Sequence, residues 1–341
     1  MSSNQDLAIE YNNKISKKLL VFDLALDLQM YNVPRKIIDN IIKDFPVEIE
    51  PINCPNLKIT NKNAEIYWGN RINNTILNMM PNLKWVHFGS VGINRLNNMK
   101  RKDLLITSSK GLVTDSMITH VLALIGIYSR RLDIFFDNQK KPFYREDYDK
   151  YFSEIKNFNE LNILIIGLGN IGIKLAEKLY LMGSKVDGIS RKKKETKFVS
   201  KQYSFKECEK HLHKYNFVIS LLPENKDTIN KIDYKFLSKM NSDSILINLG
   251  RGTTINEKDL VLALDNKKIN RAILDVTEKE PLPSESILHK HSRIFLTPHI
   301  SSFSPSYWPL QEKLFRHNLN YFLKNNFKKM INIESNFTES I

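Results

Sequence analysis

One stretch of the chain, residues 161–191, restricts the fold more than any other. A continuous apolar run, Asn162–Ile166, is short enough for a buried parallel strand, and it leads directly into the turn Gly167-Leu-Gly169-Asn-Ile-Gly172. After the turn, apolar residues recur at helical spacing as far as Gly183, and a second strand is predicted over 185–189. This order of strand, glycine turn, helix and strand indicates a βαβ unit.

The three glycines predict a dinucleotide site. In such a unit Gly167 allows the turn, Gly169 lets backbone N–H groups approach a pyrophosphate, and Gly172 lets helix and strand pack closely. The phosphates would lie at the helix N-terminus, where unpaired N–H groups and the helix dipole favour anions. Glycines also mark ordinary turns, so the alternative is a structural turn in another α/β protein. The flanking strands and helix favour the dinucleotide site.

The end of the second strand bears on which dinucleotide would bind. An NAD site usually places Asp or Glu there for the ribose 2′-hydroxyl, but this chain reads Ser190-Arg191-Lys192-Lys-Lys. A hydroxyl, a guanidinium and ammonium groups would bind a 2′-phosphate that a carboxylate would repel. NADP(H) is therefore the expected cofactor, with NAD(H) as the second choice. The competing interpretation is a solvated lysine run.

Composition excludes several classes of protein. A length of 341 residues predicts two domains, and 42% hydrophobic with 26% charged residues is ordinary for a globular chain. The net charge of +14 comes from scattered Lys and Arg without any nucleic-acid-binding motif, so no nucleic-acid partner is expected. Cys54 and Cys208 show no metal or redox spacing and predict free thiols. Because no signal peptide or membrane-spanning run is recognisable, we expect no membrane partner and a cytoplasmic protein.

Short α/β units are predicted on both sides of the dinucleotide unit. Before it, strands are predicted over 18–24, 64–68, 83–88 and around Leu104 and Ile106, and helices over 34–45 and 74–80. A long helix follows with Met117, Val121, Leu124, Ile125, Tyr128 and Leu132 on one face, and then a connecting loop over 137–159. After the unit, strands over 217–221, 244–248, 272–275 and 294–296 alternate with helices over 234–240 and 257–265. A terminal helix over 309–323 is expected to fold back on the first domain.

Three polar segments in the second half of the chain each follow a predicted strand. They carry Arg251, Glu280 and His299. Residues just beyond the carboxyl ends of the strands of an open parallel sheet line the crevice where a cofactor lies. We therefore expect a guanidinium, a carboxylate and an imidazole to converge beside the nicotinamide.

These are the groups that reduction of a 2-keto acid requires. Arg251 can bind the carboxylate and polarise the adjacent carbonyl. His299 can donate a proton to the carbonyl oxygen as hydride reaches the carbon, and Glu280 can raise the pKa of the ring and fix its tautomer. Each residue alone is more often structural, so the prediction depends on their joint order behind strands of one sheet.

The order of the segments GLGNIG, LLPENKDTIN, NLGRG, LDVTEKEPLP and TPH resembles the D-isomer-specific 2-hydroxyacid dehydrogenase family over nearly the whole chain. The resemblance implies two Rossmann-like or flavodoxin-like, doubly wound parallel-sheet α/β domains with the active site in the cleft between them. The substrate domain would comprise residues 1–110, completed by 300–341, and the NAD(P)-binding domain residues 111–299. The family's catalytic arginine, glutamate and histidine match Arg251, Glu280 and His299, and a homodimer is implied.

The resemblance also implies further binding residues. Backbone N–H groups of the loop Ser90-Val91-Gly92 would bind the substrate carboxylate, and Asp275 would hold the nicotinamide amide. Arg71 and Trp68, at a predicted strand end, are candidates for selecting the substrate tail, with surface placement as the alternative. The complete predicted cofactor set is Gly167, Gly169, Asn170, Ile171, Gly172, Ser190, Arg191, Lys192, Leu222, Pro223, Thr228, Leu249, Gly250 and Asp275.

Within the family, residues 90–93 and the pair Ser190-Arg191 are most similar to the glyoxylate and hydroxypyruvate reductase branches, which favour NADPH. The expected activity is NAD(P)H-dependent reduction of a small 2-keto acid to the D-2-hydroxy acid. One alternative is an NAD-dependent dehydrogenase that oxidises a hydroxy acid such as a phosphorylated glycerate. Another is a nucleotide-sensing scaffold like the related corepressors. Asn94 and Thr119 depart from the family's usual Asp and Glu, which bears on the substrate more than on the reaction.

Overall fold

The chain divides into two compact units in the computed structural model, which describes residues 17–23, 33–51, 62–90, 101, 103–138, 151–152 and 154–334. The first unit comprises Met1–Leu112 with Pro305–Ile341, and the second comprises Val113–Ser304. The boundaries expected from the sequence lie a few residues earlier, after residues 110 and 299. Each unit is built around its own parallel sheet.

The first unit contains five parallel strands in the order β2-β1-β3-β4-β5. They are β1 (Lys18–Asp23), β2 (Val47–Pro51), β3 (Ile66–Gly69), β4 (Trp85–Phe88) and β5 (Leu105–Ser108). The helices are α1 (Arg35–Asp44), α2 (Asn74–Met79) and the terminal α10 (Tyr307–Leu323). Successive strand residues face opposite sides, so one face packs against α2 and the other against α1 and α10.

Helix α10 returns the end of the chain to the first sheet. Its Phe315 is fully buried and stacks on Trp68 with ring centroids 4.0 Å apart and on Trp85 at 5.2 Å. Leu319 and Phe322 extend the same contact. Aromatic side chains of this size bury much apolar area, which fixes the helix on the sheet. The prediction that the terminal helix folds back on the first domain is confirmed.

The second unit contains seven parallel strands in the order β12-β11-β10-β9-β6-β7-β8. They are β6 (Asn162–Ile166), β7 (Lys185–Ile189), β8 (Lys201–Tyr203), β9 (Phe217–Ser220), β10 (Ile245–Asn248), β11 (Arg271–Leu274) and β12 (Ile294–Leu296). The helices are α3 (Thr114–Ser129), α4 (Leu132–Asn138), α5 (Asn170–Leu181), α6 (Phe205–Cys208), α7 (Tyr234–Leu237), α8 (Glu257–Asp265) and α9 (Ile287–Lys290). Buried clusters cover both faces of the sheet.

Both units confirm the predicted doubly wound parallel α/β fold. In the second unit the chain runs from β6 outward to β8 and then returns to β9 on the other side of β6. Such a reversal leaves a crevice outside the carboxyl ends of the two central strands, where ligands of open α/β sheets bind. The fold therefore places a crevice between the residues that follow β6 and those that follow β9.

Some elements differ from the sequence-based prediction. Helix α3 ends at Ser129, and Arg131 has a φ of 56°, so Leu132 begins a separate helix and is 42% exposed. The prediction that Leu132 shares the buried face of α3 is therefore wrong. The predicted loop over 137–159 also contains the end of α4 and a 3-10 helix, Phe158–Glu160. The edge strands β2 and β8 were not predicted.

The thiol of Cys208 has low reactivity. Cys208 is free and fully buried, and burial raises the pKa of its thiol to about 12, with the charge of Asp187 adding to the effect. The other cysteine, Cys54, lies outside the described residues. Among the helices that the structure describes, none has both the length and the apolar character needed to cross a membrane.

Candidate active site

The glycine turn after β6 lies at the crevice of the second sheet. Gly167 has a φ of 107°, and a Cβ on it would lie 3.1 Å from the carbonyl oxygen of Leu221. A Cβ on Gly172 would lie 2.1 Å from the carbonyl oxygen of Gly167, so helix α5 approaches the turn too closely for a side chain. Gly169 is the N-cap of α5, and a Cβ there would meet nothing within 4 Å. The turn thus leaves open space before the N-terminus of α5, which fits a pyrophosphate.

Of the predicted cofactor residues after β9 and β10, Leu222 lies against this turn and Gly250 lies against Leu222. A Cβ on Gly250 would lie 2.4 Å from the carbonyl oxygen of Leu222, and Leu222 and Leu249 are buried. The hydroxyl of Thr228 donates to the carbonyl oxygen of Pro223 at 2.7 Å. Thr228 therefore shapes the turn after β9, while Pro223 is exposed.

The residues that directly follow β7, Ser190 to Lys194, include no carboxylate. Ser190 Oγ donates to the carbonyl oxygen of Lys192 at 2.8 Å, which bends the chain, and Arg191 and Lys192 are exposed. The acidic residue nearest in sequence, Asp187, accepts from Lys201 N at 3.0 Å and from Tyr215 Oη at 2.8 Å. The basic side chains are therefore the charged groups at the strand end. Of the remaining predicted residues, Asn170 is exposed and Ile171 is half-buried.

Asn248 fixes the turn that carries Arg251, a function that the sequence did not reveal. Its side chain is fully buried, Oδ1 accepts from Gly250 N at 3.1 Å, and Nδ2 donates to the carbonyl oxygen of Arg251 at 3.2 Å. Thr254 Oγ1 donates to the same oxygen at 2.7 Å. The backbone of the arginine is therefore held from both sides. The signal available in the sequence was an amide residue as the last residue of a buried strand.

The next glycine joins two of the predicted loops. A Cβ on Gly252 would lie 1.9 Å from the carbonyl carbon of Thr277 and 2.4 Å from the nitrogen of Glu278. No side chain could occupy that space, so the backbone after Arg251 packs directly on the loop that leads to Glu280. The positions of the arginine and the glutamate are therefore coupled.

His299 and Glu280 form a hydrogen-bonded pair. His299 Nδ1 lies 2.8 Å from Glu280 Oε2, and Glu280 Oε1 accepts from Thr277 N at 3.2 Å. Because an ionised carboxylate can only accept, Nδ1 carries a proton. The opposite nitrogen, Nε2, has no hydrogen-bond partner in the described part of the chain, and the two side chains are 47% and 40% exposed. The ring therefore presents Nε2 to a ligand.

The pKa values of both His299 and Glu280 are shifted from their ordinary values. The hydrogen bond to Glu280 raises the pKa of His299 above its ordinary value, against an opposing effect of burial, and the charge of Asp275 acts in the same direction as Glu280. Burial by itself would raise the pKa of Glu280, but the hydrogen bond and charge of His299, with the charge of Arg251, lower the pKa below its ordinary value. The carboxylate is thus ionised and the imidazolium is favoured near neutral pH.

Asp275 holds the loop that carries His299. Its carboxylate is buried and accepts from Thr297 Oγ1 at 2.6 Å, from Ile300 N at 2.9 Å and from Ser301 N at 3.1 Å. The backbone nitrogen of His299 donates to the carbonyl oxygen of Asp275 at 2.9 Å, and His299 has a φ of 53°. This left-handed conformation is uncommon outside glycine and is kept by these bonds. The predicted contact of Asp275 with the nicotinamide amide stays a prediction.

The residues predicted in the first unit have different outcomes. Trp68 is fully buried and stacked on Phe315, so its interpretation as a selector of the substrate tail is wrong. Arg71 Nε donates to Asp23 Oδ1 at 2.7 Å, its Nη2 also bonds to that oxygen, and Tyr67 donates to the other carboxylate oxygen of Asp23. Arg71 remains 22% exposed, and substrate contact stays a prediction. Val91 and Gly92 lie outside the described residues.

Residues 122–301, more than half of the chain, match the NAD binding domain of the D-isomer specific 2-hydroxyacid dehydrogenases. Glyoxylate/hydroxypyruvate reductase A of Escherichia fergusonii is 37% identical over 143 residues, which are 42% of this chain and 46% of that protein. The protein of the same name from Citrobacter koseri is 36% identical over 144 residues, with the same shares. The matched part therefore spans about half the length of these relatives.

Two solved structures share the fold. NADPH-dependent glyoxylate/hydroxypyruvate reductase from Sinorhizobium meliloti, in complex with NADP and sulfate, superposes with a TM-score of 0.78 at 22% identity and covers 94% of this chain and 99% of that one. A D-isomer specific 2-hydroxyacid dehydrogenase from Xanthobacter autotrophicus, in complex with NADPH and MES, gives 0.79 at 21% identity, covering 94% and 98%. The likeness extends to nearly the whole of both chains.

Proposed function

Because this chain belongs to the family of D-isomer specific 2-hydroxyacid dehydrogenases, we propose that it reduces a small 2-keto acid to the D-2-hydroxy acid with NADPH. The names of the similar reductases direct the choice of substrate to glyoxylate and hydroxypyruvate. The observation that carries the proposal is the hydrogen-bonded pair of His299 and Glu280, 2.8 Å apart. The charge of Arg251 acts on the pKa of both members of the pair. An imidazole and a guanidinium are thus held at one end of a dinucleotide-type sheet, which supports the proposed roles of proton donor and carboxylate-binding cation.

The proposed reaction assigns one task to each side chain. When bound, the reduced nicotinamide would supply the hydride for the carbonyl carbon. Arg251 binds the carboxylate of the keto acid and stabilises negative charge that develops on the carbonyl oxygen. His299 Nε2 donates its proton to that oxygen, which becomes the hydroxyl of the product, and the ring is left neutral. Glu280 keeps Nδ1 protonated throughout and so fixes which nitrogen reacts.

NADPH is proposed over NADH on two grounds. The glycine turn leaves space before α5 for the pyrophosphate that both cofactors carry, whereas Arg191 and Lys192 at the end of β7 would bind the 2′-phosphate that only NADPH carries. The two structures of similar fold were obtained with NADP or NADPH. NAD(H) remains the second choice, because the ribose itself needs no cation.

The first unit would serve as the substrate domain and the second as the cofactor domain. In the first unit, the N–H of Ser90 follows the end of β4 and is proposed to bind the substrate carboxylate, with Val91 and Gly92 continuing the loop. Arg71 is proposed to contact the substrate tail. It lies two residues beyond β3, at the carboxyl edge where the strand order β2-β1-β3 reverses direction.

A homodimer in the cytoplasm is part of the proposal. Leu132, Phe136, Phe152 and Phe295 are 41% to 86% exposed on the second unit, and a second copy would remove that apolar area from water. Sedimentation of the wild type against Phe136→Glu tests this, since a monomeric wild type would exclude the dimer. The cytoplasm is proposed because the described cysteine is a free thiol.

Turnover tests the function directly. Nicotinamide absorbance should be followed while the purified chain meets glyoxylate, hydroxypyruvate, pyruvate and bulkier keto acids, with NADPH and NADH in parallel. Rapid NADPH oxidation with a small keto acid is the expected result. Nucleotide binding without turnover on any member of the panel would refute the reductase and favour a nucleotide-sensing scaffold.

A further inference from the structure

A buried amide on the terminal helix holds the backbone at the start of the proposed carboxylate loop. Gln311 of α10 has no exposed surface, and its Nε2 donates to the carbonyl oxygen of Gly89 at 2.7 Å. Tyr307, one turn earlier on the same helix, donates its hydroxyl to the same oxygen at 2.9 Å. Two side chains of α10 thus converge on a single peptide group immediately after β4.

Chemistry fixes the orientation of this amide. A carbonyl oxygen can only accept, so the NH₂ group of Gln311 faces Gly89 and the amide oxygen faces away. That oxygen, Oε1, lies 2.9 Å from the hydroxyl of Ser109, which is itself buried and lies 2.9 Å from the carbonyl oxygen of Phe88. The Ser109 hydroxyl has one proton to give to these two acceptors, and both ends of the Gln311 amide face polar groups around the end of β4. A buried polar group with partners at both ends resists rotation, because each lost bond leaves an unsatisfied atom.

Because the carbonyl group of Gly89 is held, the N–H group of Ser90 in the same peptide is oriented as well. In a trans peptide the C=O of one residue and the N–H of the next lie in one plane and point in opposite directions. With the oxygen of Gly89 directed at α10, the N–H of Ser90 is directed away from that helix. No atom of the described residues accepts from this N–H, whereas the carbonyl oxygen of Ser90 accepts from Ser109 N at 3.3 Å. The peptide therefore presents a fixed N–H without a partner in the described part of the chain.

We propose that Gln311 is a positioning residue for substrate binding: it holds the Gly89–Ser90 peptide so that the Ser90 N–H is aimed at the carboxylate of the keto acid. The inference rests on the proposed function, and it assigns to a helix distant in sequence the orientation of a ligand-binding backbone group. Tyr307 assists through its bond to the same oxygen. A preorganised N–H needs no reorientation when the anion arrives, so its loss weakens binding of the carboxylate.

The same helix supplies a matched control. Asn318 lies two turns beyond Gln311 on α10 and is also fully buried. Its Nδ2 donates to the carbonyl oxygen of Ile331 at 3.0 Å, and its Oδ1 accepts from the nitrogen of Ile331 at 2.8 Å. It anchors the C-terminal segment and not the loop after β4. A role limited to docking α10 predicts the same kinetic effect for both amides, whereas the positioning role predicts a difference.

The test compares Gln311→Met, Tyr307→Phe and Asn318→Leu with the wild type in steady-state kinetics with NADPH and glyoxylate or hydroxypyruvate. We expect KM for the keto acid to rise about five- to tenfold in Gln311→Met and about threefold in Tyr307→Phe, the usual effect of losing one hydrogen bond. We expect kcat and the Kd of NADPH to stay within about twofold in both. Asn318→Leu should lose thermal stability and keep its KM.

Hydrogen exchange gives a second readout that needs no turnover. Peptides covering residues 86–90 should exchange faster in Gln311→Met and Tyr307→Phe but not in Asn318→Leu. Unchanged KM and unchanged exchange in an active, folded Gln311 variant would overturn the inference. If that variant does not fold, Tyr307→Phe decides by the same two measurements. If the wild type reduces no keto acid, the proposed function is refuted. In that case hydrogen exchange still tests the positioning of the loop, because equal exchange rates at residues 86–90 in all variants would refute it.

Discussion

Acid should destabilise the first unit through His87, a residue of β4. The ring is fully buried among Trp68, Trp85 and Phe315, and burial lowers its pKa from 6.5 to about 3. Nδ1 lies 2.7 Å from the hydroxyl of Thr107, and Nε2 has no partner among the described residues. The folded state therefore holds the neutral ring, and protonation requires the ring to leave this site.

The sign and size of the effect follow from linkage. Because the folded pKa lies below the unfolded value, the contribution is fully present above pH 6.5 and is lost as the pH falls towards 3. Each unit of pH in that window costs about 1.4 kcal/mol, so lowering the pH from 7 to 4 should remove about 3 kcal/mol of stability. With a urea slope of about 2 kcal/mol per molar, the unfolding midpoint should fall by about 1.5 M.

Tryptophan fluorescence isolates this unit, because all three tryptophans, Trp68, Trp85 and Trp308, belong to it. Urea titrations from pH 7 to pH 4 should be compared between the wild type and His87→Asn, whose amide can keep the bond to Thr107. The variant will be less stable at pH 7 because it loses ring volume, but its stability should depend on pH less steeply by the amount above. Other titrating groups cancel in the difference. Parallel pH dependences in the two proteins would refute a buried neutral imidazole.

Four further predictions concern the second unit. His299→Ala should lower kcat about a hundredfold or more while the Kd of NADPH is kept, and near-normal turnover would remove the proton-donor role. In Glu280→Gln the pKa of His299 should fall, because the ring loses its carboxylate partner. Since the proposed reduction needs the imidazolium, the rate should begin to decline at a lower pH than in the wild type. An unshifted pH–rate profile would contradict the pairing. Gly169→Ala should fold normally, because its Cβ meets open space, yet bind NADPH more weakly, whereas Gly172→Ala should lower the melting temperature; equal melting temperatures would contradict the close approach of α5. Ser190→Asp should shift the preference from NADPH towards NADH, and an unmoved ratio of kcat/KM values would show that the 2′-phosphate lies elsewhere.

The buried strands could be predicted because each contains a short, mostly apolar run, which local composition reveals. The edge strands β2 and β8 could not, because the apolar–charged alternation of β2 covers only four residues before Pro51 and β8, Lys201–Tyr203, contains no apolar run. The break between α3 and α4 also escaped prediction, since it depends on the positive φ of Arg131 and not on the apolar period.

Arg251, Glu280 and His299 could be proposed from the sequence because loops at the carboxyl ends of parallel strands meet at one edge of the sheet. Their supporting residues could not. The bonds of Asn248 to the arginine turn and of Asp275 to the histidine loop depend on side-chain directions that only the folded chain shows. Trp68 was misread because a large aromatic residue at a strand end has the same sequence pattern whether it faces a ligand or the core.

The direct backbone contact at Gly252 has a consequence for exchanging parts between relatives. Since no side chain fits between Gly252 and the Thr277–Glu278 peptide, segments 248–254 and 275–281 must match each other in shape. A chimera that takes only one of these segments from a divergent relative is expected to have a mismatched backbone contact next to Arg251 and Glu280, the proposed catalytic residues. Transferring both segments together keeps this contact. Exchanges in the loops of the first unit leave this pair of segments unchanged.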